Sequence, residues 1–252
     1  MQTTKAIIPL IDLATYKKEE SAEHIAKLCR SAVTPFGRVA SVGVAPELVP
    51  LARKTLDELH GELVKVATVV NYPDGNDEFD EVLKATAQVL NEGANEIELV
   101  FPHGQFKAGN EAQAVKLVSA VSALCIPHGA TLKVILETTA LADEALILRA
   151  SEIAVENGAH FLRTSSIARN KNGDTPETLS AMLDVINRYG GNVGIKISAS
   201  TANLEMARRY LQLIEARNGE NWVKPNHVRL SSLTLLTEIL NDLGAISTDD
   251  QI

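Results

Sequence analysis

The chain has 252 residues, a formal net charge of −8 and 45% hydrophobic residues, of which few are aromatic (4% Phe, Trp and Tyr). An acidic chain without a basic block lacks the electrostatic footprint of a protein whose main partner is nucleic acid or an anionic membrane surface. Its two cysteines, Cys29 and Cys125, fall in helical patterns and in no redox or zinc spacing. The apolar run in MQTTKAIIPL is too short for a signal peptide and no stretch approaches 18 apolar residues, so a soluble cytoplasmic protein is expected.

Taken in chain order, short apolar runs alternate with helical-period segments. Strands are predicted at 6–12 (AIIPLID), 38–44 (RVASVGV), 65–71 (KVATVVN), 96–101 (EIELVF), 131–138 (TLKVILET), 160–166 (HFLRTSS), 193–199 (VGIKISA) and 227–232 (HVRLSS). The segments between them carry apolar residues at three- and four-residue spacing, as Val82, Ala85, Val89 and Leu90 do. Several close on a glycine, among them Gly93, Gly129, Gly158 and Gly244. Eight evenly spaced units without a composition break predict an α/β fold, a single (β/α)8 TIM barrel over residues 1–252, with an open doubly wound sheet as the rival. Neither a Gly-rich dinucleotide fingerprint nor a Walker loop occurs, so no nucleotide cofactor is expected. The six histidines show no convergent spacing, so no metal is expected either.

Ionisable residues stand on strands that otherwise read as buried on both faces: Asp12, Glu98, Lys133, Glu137, Arg163, Lys196 and Arg229. Buried charges are costly unless paired or functional. A self-neutralising ionic cluster is one reading. The other is an active site, because chemistry in barrels sits at the C-terminal ends of the strands.

The segments LIDLATY (10–16), ATVVNYPDGN (67–76), ANEIELVFP (94–102), KAGNE (107–111), LKVILET (132–138), TPET (175–178) and VGIK (193–196) resemble, in order, segments of the deoxyribose-phosphate aldolase family. That resemblance implies a class I aldolase of deoxyribonucleotide catabolism, working through a Schiff base and without a cofactor. It implies a small aldehyde or sugar phosphate as partner and a homodimer as assembly. Residue by residue the match is mixed. The family's imine-forming lysine on the sixth strand is matched by Arg163, whose guanidinium stays protonated and has no lone pair to offer a carbonyl. The lysine of the seventh strand is kept as Lys196, and Asp12 matches the family's proton-relay aspartate. Glu98 stands where the family has Asp. The phosphate-binding glycines are matched by Ile167, Ala168, Ala199 and Ser200, and the last strand leads into SSLT (231–234). Lys133 and the hydroxyls of Thr164, Ser166, Ser200, Ser231 and Ser232 remain as candidates for holding a polar substrate.

Two functions follow from different classes. In one, aldol chemistry is impaired or redirected, with Lys196 as the nucleophile, Arg163 as the cation that keeps it neutral, and Asp12 and Glu98 relaying protons. In the other, the barrel is catalytically silent and binds a small polar ligand or a protein partner.

Overall fold

A computed structural model of the chain describes residues 3–17, 19–166, 175–198 and 203–244. Eight parallel strands close into a barrel: β1 (Ile11–Ala14), β2 (Ser41–Val44), β3 (Lys65–Val70), β4 (Glu96–Val100), β5 (Thr131–Ile135), β6 (Phe161–Arg163), β7 (Gly194–Ser198) and β8 (Val228–Ser231). β8 pairs back onto β1, with Asp12 opposite Ser231. The predicted (β/α)8 architecture is therefore the observed one.

Strand and helix follow from the patterning. Outward-facing Val, Leu and Ile of the strands, such as Ile97, Leu99, Leu132 and Val134, join the apolar faces of the helices in one large core. The helix starts are set by side chains that accept a backbone N–H of the first turn: Ser21 from His24, Asn110 from Gln113, Asp143 from Leu146, Thr175 from Thr178 and Asn203 from Met206. After β3 the turn of NYPDGN needs Gly75, which has φ +70° and whose added Cβ would stand 2.5 Å from the Phe101 carbonyl oxygen.

The sequence-based expectation differs from the structure at the first strand. Residues Thr4–Ile7 form a helical turn and Ile8–Leu10 a 3-10 turn, so β1 begins only at Ile11. Pro9 has no N–H for a ladder, and the apolar character of Ile7 and Ile8, both fully buried, reflects packing into the core rather than strand pairing. A two-residue antiparallel ladder, Val33–Thr34 with Gly37–Arg38, also escaped the pattern because each arm is too short to alternate. The runs at 131–138 and 160–166 end early as strands, at Ile135 and Arg163. Beyond Ile135 the backbone turns through Glu137, at φ 55°, into the short helix Thr138–Leu141.

Strand parity puts Asp12, Glu96, Glu98, Lys133, Arg163, Lys196 and Arg229 on inward positions of neighbouring strands. Glu98 lies opposite Lys133, Arg163 opposite Lys196, and Lys196 opposite Arg229. Gly194 opens β7 on the same inward face, where an added Cβ would collide with the Phe161 ring and stand 2.8 Å from the His227 carbonyl oxygen. Backbone on one side and a buried ring on the other leave no room to relax. Gly194→Ala is expected to lower stability by about 1–3 kcal/mol, as overpacking of a filled interior does. Urea denaturation should show a lower midpoint with an unchanged slope; an unchanged midpoint would mean that the close approach at Gly194 is not a constraint.

Candidate active site

Six of the seven charged residues singled out in the sequence, all but Glu137, converge inside the barrel. Asp12 is at the centre. Its Oδ2 accepts from Lys133 Nζ at 2.8 Å and lies 2.7 Å from Lys196 Nζ, while its Oδ1 accepts from Arg229 Nη1 at 2.6 Å. Glu98 sits one step further along the barrel: Oε1 accepts from Lys196 Nζ at 2.5 Å and Oε2 from Arg163 Nη1. Arg163 also reaches Ser198 Oγ through Nη2 at 3.3 Å.

Glu96 completes the lattice and was missed in the sequence reading. Its Oε1 accepts from Arg229 Nη2 at 2.8 Å and its Oε2 lies 2.6 Å from Lys133 Nζ. It opens its strand, away from the end where chemistry was sought. The i, i+2 relation to Glu98 is the pattern that places both carboxylates on one face. Glu137 goes the other way. It is buried, but its Oε1 accepts the Ser166 backbone N–H at 3.2 Å and it forms no ion pair among the described residues.

Asp12, Glu98, Lys133, Arg163 and Lys196 are all 0% exposed, so the cluster is an enclosed interior layer rather than an open mouth. An apolar layer of Ala14, Val69, Val100 and Ile135 lies in the same interior together with Tyr16. The Tyr16 ring centroid is 5.8 Å from Arg163 Cζ, and its hydroxyl occupies the space that Gly43 leaves, 2.9 Å from where a Cβ would be. Gly43 is thus required by the phenol. Beside Tyr16 a small cleft of about 150 Å3, bounded by Val69, Asn71, Tyr72 and Asp77, opens at the C-terminal end of β3.

Three carboxylates face four cations here. Burial by itself would raise the Asp12 carboxyl, but Lys133, Lys196 and Arg229 hold it well below the usual carboxylate range. Burial is likewise overcome at Glu98, where Lys196, Arg163 and Lys133 bring the pKa down to about 2. Both acids are therefore ionised. At Lys196 burial prevails: together with the neighbouring Lys133 and Arg163 cations it holds the amine below the ordinary lysine value, against the pull of Asp12 and Glu98. Burial, then the Glu98 charge, push the Tyr16 phenol well above its usual range, so it keeps its proton.

The hydroxyl candidates divide. Thr164 Oγ1 accepts the Ser198 backbone N–H at 3.3 Å, and Ser232 Oγ accepts that of Leu235 at 3.1 Å at the start of helix Thr234–Asp242, so both have local structural work. Ser166 Oγ and Ser231 Oγ are buried with no hydrogen-bond partner among the described residues, as are Glu137 Oε2 and Arg163 Nε. Ser200, like Ile167, Ala168 and Ala199, lies outside the described residues. Among the described residues no group of three or more His, Cys, Asp or Glu side chains is arranged to hold a metal ion, and no helix is long and apolar enough to cross a membrane.

Comparison with known proteins agrees with this fold. A provisionally assigned deoxyribose-phosphate aldolase from Toxoplasma gondii ME49 superposes with a TM-score of 0.84 at 24% identity, covering 97% of this chain and 95% of that one. A provisionally assigned deoxyribose-phosphate aldolase from Coccidioides immitis gives 0.81 at 21% identity, over 96% and 87% of the two chains. The tetrameric deoxyribose phosphate aldolase from Aeropyrum pernix gives 0.76 at 19% identity, over 97% and 94%. At these identities the solved structures establish the shared fold. A model of the DeoC/LacD family aldolases matches residues 6–208, which span β1 through β7 and with them Asp12, Glu98, Arg163 and Lys196, so the chain belongs to the DeoC/LacD aldolase family.

Proposed function

We propose that the protein is a deoxyribose-phosphate aldolase-like enzyme in which the imine-forming amine has moved to Lys196, and in which turnover of phosphorylated sugars is impaired. The observation that carries this reading is the charge imbalance of the interior. Within the ion-paired lattice, from which Glu137 stands apart, four cations against three carboxylates leave one positive charge without a matching carboxylate in a fully buried layer, which is unfavourable. Neither Arg163 nor Arg229 can release a proton. The excess is removed by a neutral lysine, and Lys196 is the lysine whose pKa is held down. A neutral buried amine is a nucleophile.

Arg163 then takes the part of the cation that keeps the amine neutral. The Lys196 nitrogen adds to an aldehyde carbon; its two protons and the carbonyl oxygen leave as water, through carriers within reach at Glu98 and Asp12. Loss of a proton from the carbon next to the protonated imine yields an enamine. The enamine carbon attacks a second aldehyde, whose oxygen takes up a proton, and water releases the product and restores the amine. The cleft beside Tyr16 is of a size for a two-carbon donor such as acetaldehyde. A catalytically silent barrel is the second reading, favoured by the complete burial of Lys196 and by its contacts with two carboxylates.

Borohydride reduction in the presence of acetaldehyde separates the two. An ethyl adduct on Lys196 is expected, with a trapping rate that climbs with pH and levels off below the ordinary lysine pKa of 10.5, because the amine loses its proton early. No adduct at any lysine would leave the silent barrel. Arg163→Lys places a second amine beside Lys196 and Glu98. It should be trapped at position 163 and raise total imine formation by on the order of tenfold, because the new amine lies buried beside a second amine, where the neutral form is favoured. Trapping that remains at Lys196 alone, at the parent rate, would contradict the assigned exchange of roles. Deoxyribose 5-phosphate should give no calorimetric binding tighter than about 1 mM, because the family's anion-binding glycines are replaced. Tight binding with a phosphate-dependent enthalpy would show that other donors have taken their place.

A further inference from the structure

A larger cleft, of about 560 Å3, lies at the other end of the barrel, where the N-terminal ends of the strands meet the two-residue ladder. Val33, Val39 and Leu63 form its apolar walls, and three cations, Arg38, Lys65 and Arg229, line it. Leu63 stands on its rim, 72% exposed. Among the described residues no acidic side chain lines this cleft, although acids outnumber bases in the chain by 32 to 24. Arg38 donates only to the His60 carbonyl oxygen at 3.4 Å, and neither it nor Lys65 has a carboxylate within ion-pair distance among the described residues.

Arg229 is anchored differently. Nη1 donates to Asp12, Nη2 to Glu96 and Nε to the Pro225 carbonyl oxygen at 2.5 Å, so three of a guanidinium's five N–H bonds are used. The floor of the cleft is therefore a fixed cation with donors to spare, and its rim carries two cations free to swing onto a ligand. Volume and lining match a small-molecule pocket: mostly apolar, with a few convergent polar groups. Chemistry in barrels belongs to the opposite end, so occupancy here is binding rather than catalysis.

We propose that this cleft binds a small molecule carrying a compact oxyanion, a phosphate or a carboxylate, on an apolar body. The oxyanion sits among Arg38, Lys65 and Arg229, and the body lies along Val33, Val39 and Leu63. The site stands apart from the reading of Lys196 as nucleophile, but it is two contacts away from it: Arg229 holds Asp12, and Asp12 holds Lys196. An anion at Arg229 competes with Asp12 for the same guanidinium.

Calorimetric titration of the full chain with phenyl phosphate, benzoate, inorganic phosphate and phenol tests the proposal. Phenyl phosphate or benzoate should bind, and whichever binds more tightly identifies the oxyanion. Phenol should not bind, and inorganic phosphate, lacking the apolar body, should bind at least about tenfold more weakly. The double variant Arg38→Gln with Lys65→Gln should weaken binding by about tenfold or more, through loss of two charge-assisted contacts, while the thermal midpoint stays unchanged because both side chains are exposed. Either aryl anion binding no better than phenol, or binding that survives in the double variant, would overturn the proposal. So would a concentration-dependent dimer that the double variant dissociates in a protein with no affinity for the aryl anions, since the cleft would then be covered by a second copy.

Discussion

The contact between Asp12 and its three cations is the constraint on which the rest of the interior depends. Barrel interiors are ordinarily filled by layers of branched aliphatic side chains. Here part of that volume is a lattice in which each carboxylate joins two or three strands: Asp12 on β1 bridges β5, β7 and β8, and Glu98 on β4 bridges β6 and β7. Removing one partner from such a lattice leaves a buried charge without compensation, at a cost of several kcal/mol. The lattice also specifies register. A one-residue slip of any of these strands would turn its charges into the aliphatic layer beneath the helices, so the ionic pattern excludes alternative pairings more strongly than hydrophobicity alone would.

An odd number of charges gives that lattice its chemical character. Arginines at 163 and 229 cannot adjust their protonation, and Asp12 and Glu98 are held ionised by the cations around them. In the proposed reading the adjustment falls on Lys196, whose amine burial holds below the ordinary lysine value. Arg163 fixes a permanent positive charge one strand away from Lys196, and in that reading this moves the burden of neutrality onto the remaining amine. Glu98 serves both neighbours at once, one oxygen for each. Gly43 and Tyr16 belong to the same adjustment, since the absence of a side chain on β2 makes room for a phenol above the guanidinium.

The lattice runs the length of the barrel. Arg163 and Glu98 stand towards the strand ends where Tyr16 and the small cleft lie; Arg229 and Glu96 stand at the other end, where Arg229 also lines the larger cleft. Asp12 touches cations belonging to both. Arg229 at the larger cleft and Arg163 beside Tyr16 are in this way joined by a path of four ion pairs, through the buried side chains of Asp12, Lys196 and Glu98.

Much of the fold was legible in the sequence. Eight apolar runs at even spacing, separated by amphipathic segments, were enough for the closed barrel, because strand burial on two faces and helix burial on one leave distinct periodicities. Seven charges on those runs marked the interior, and six of them meet there; Arg163 was recognisable as an obstacle from its chemistry alone. What periodicity could not supply was anything that depends on how far a side chain reaches. Ile7 and Ile8 read as strand because an apolar run reports burial and not backbone pairing. Glu96 was passed over at a strand start, although a glutamate there reaches Lys133 and Arg229 across the barrel. Glu137 was counted with the cluster, although the left-handed turn at its own backbone takes it out. Above all, the balance of three carboxylates against four cations exists only once closure brings six strands to one axis: the one-dimensional chain determined which charges are buried, and the three-dimensional distances decided which of them pair.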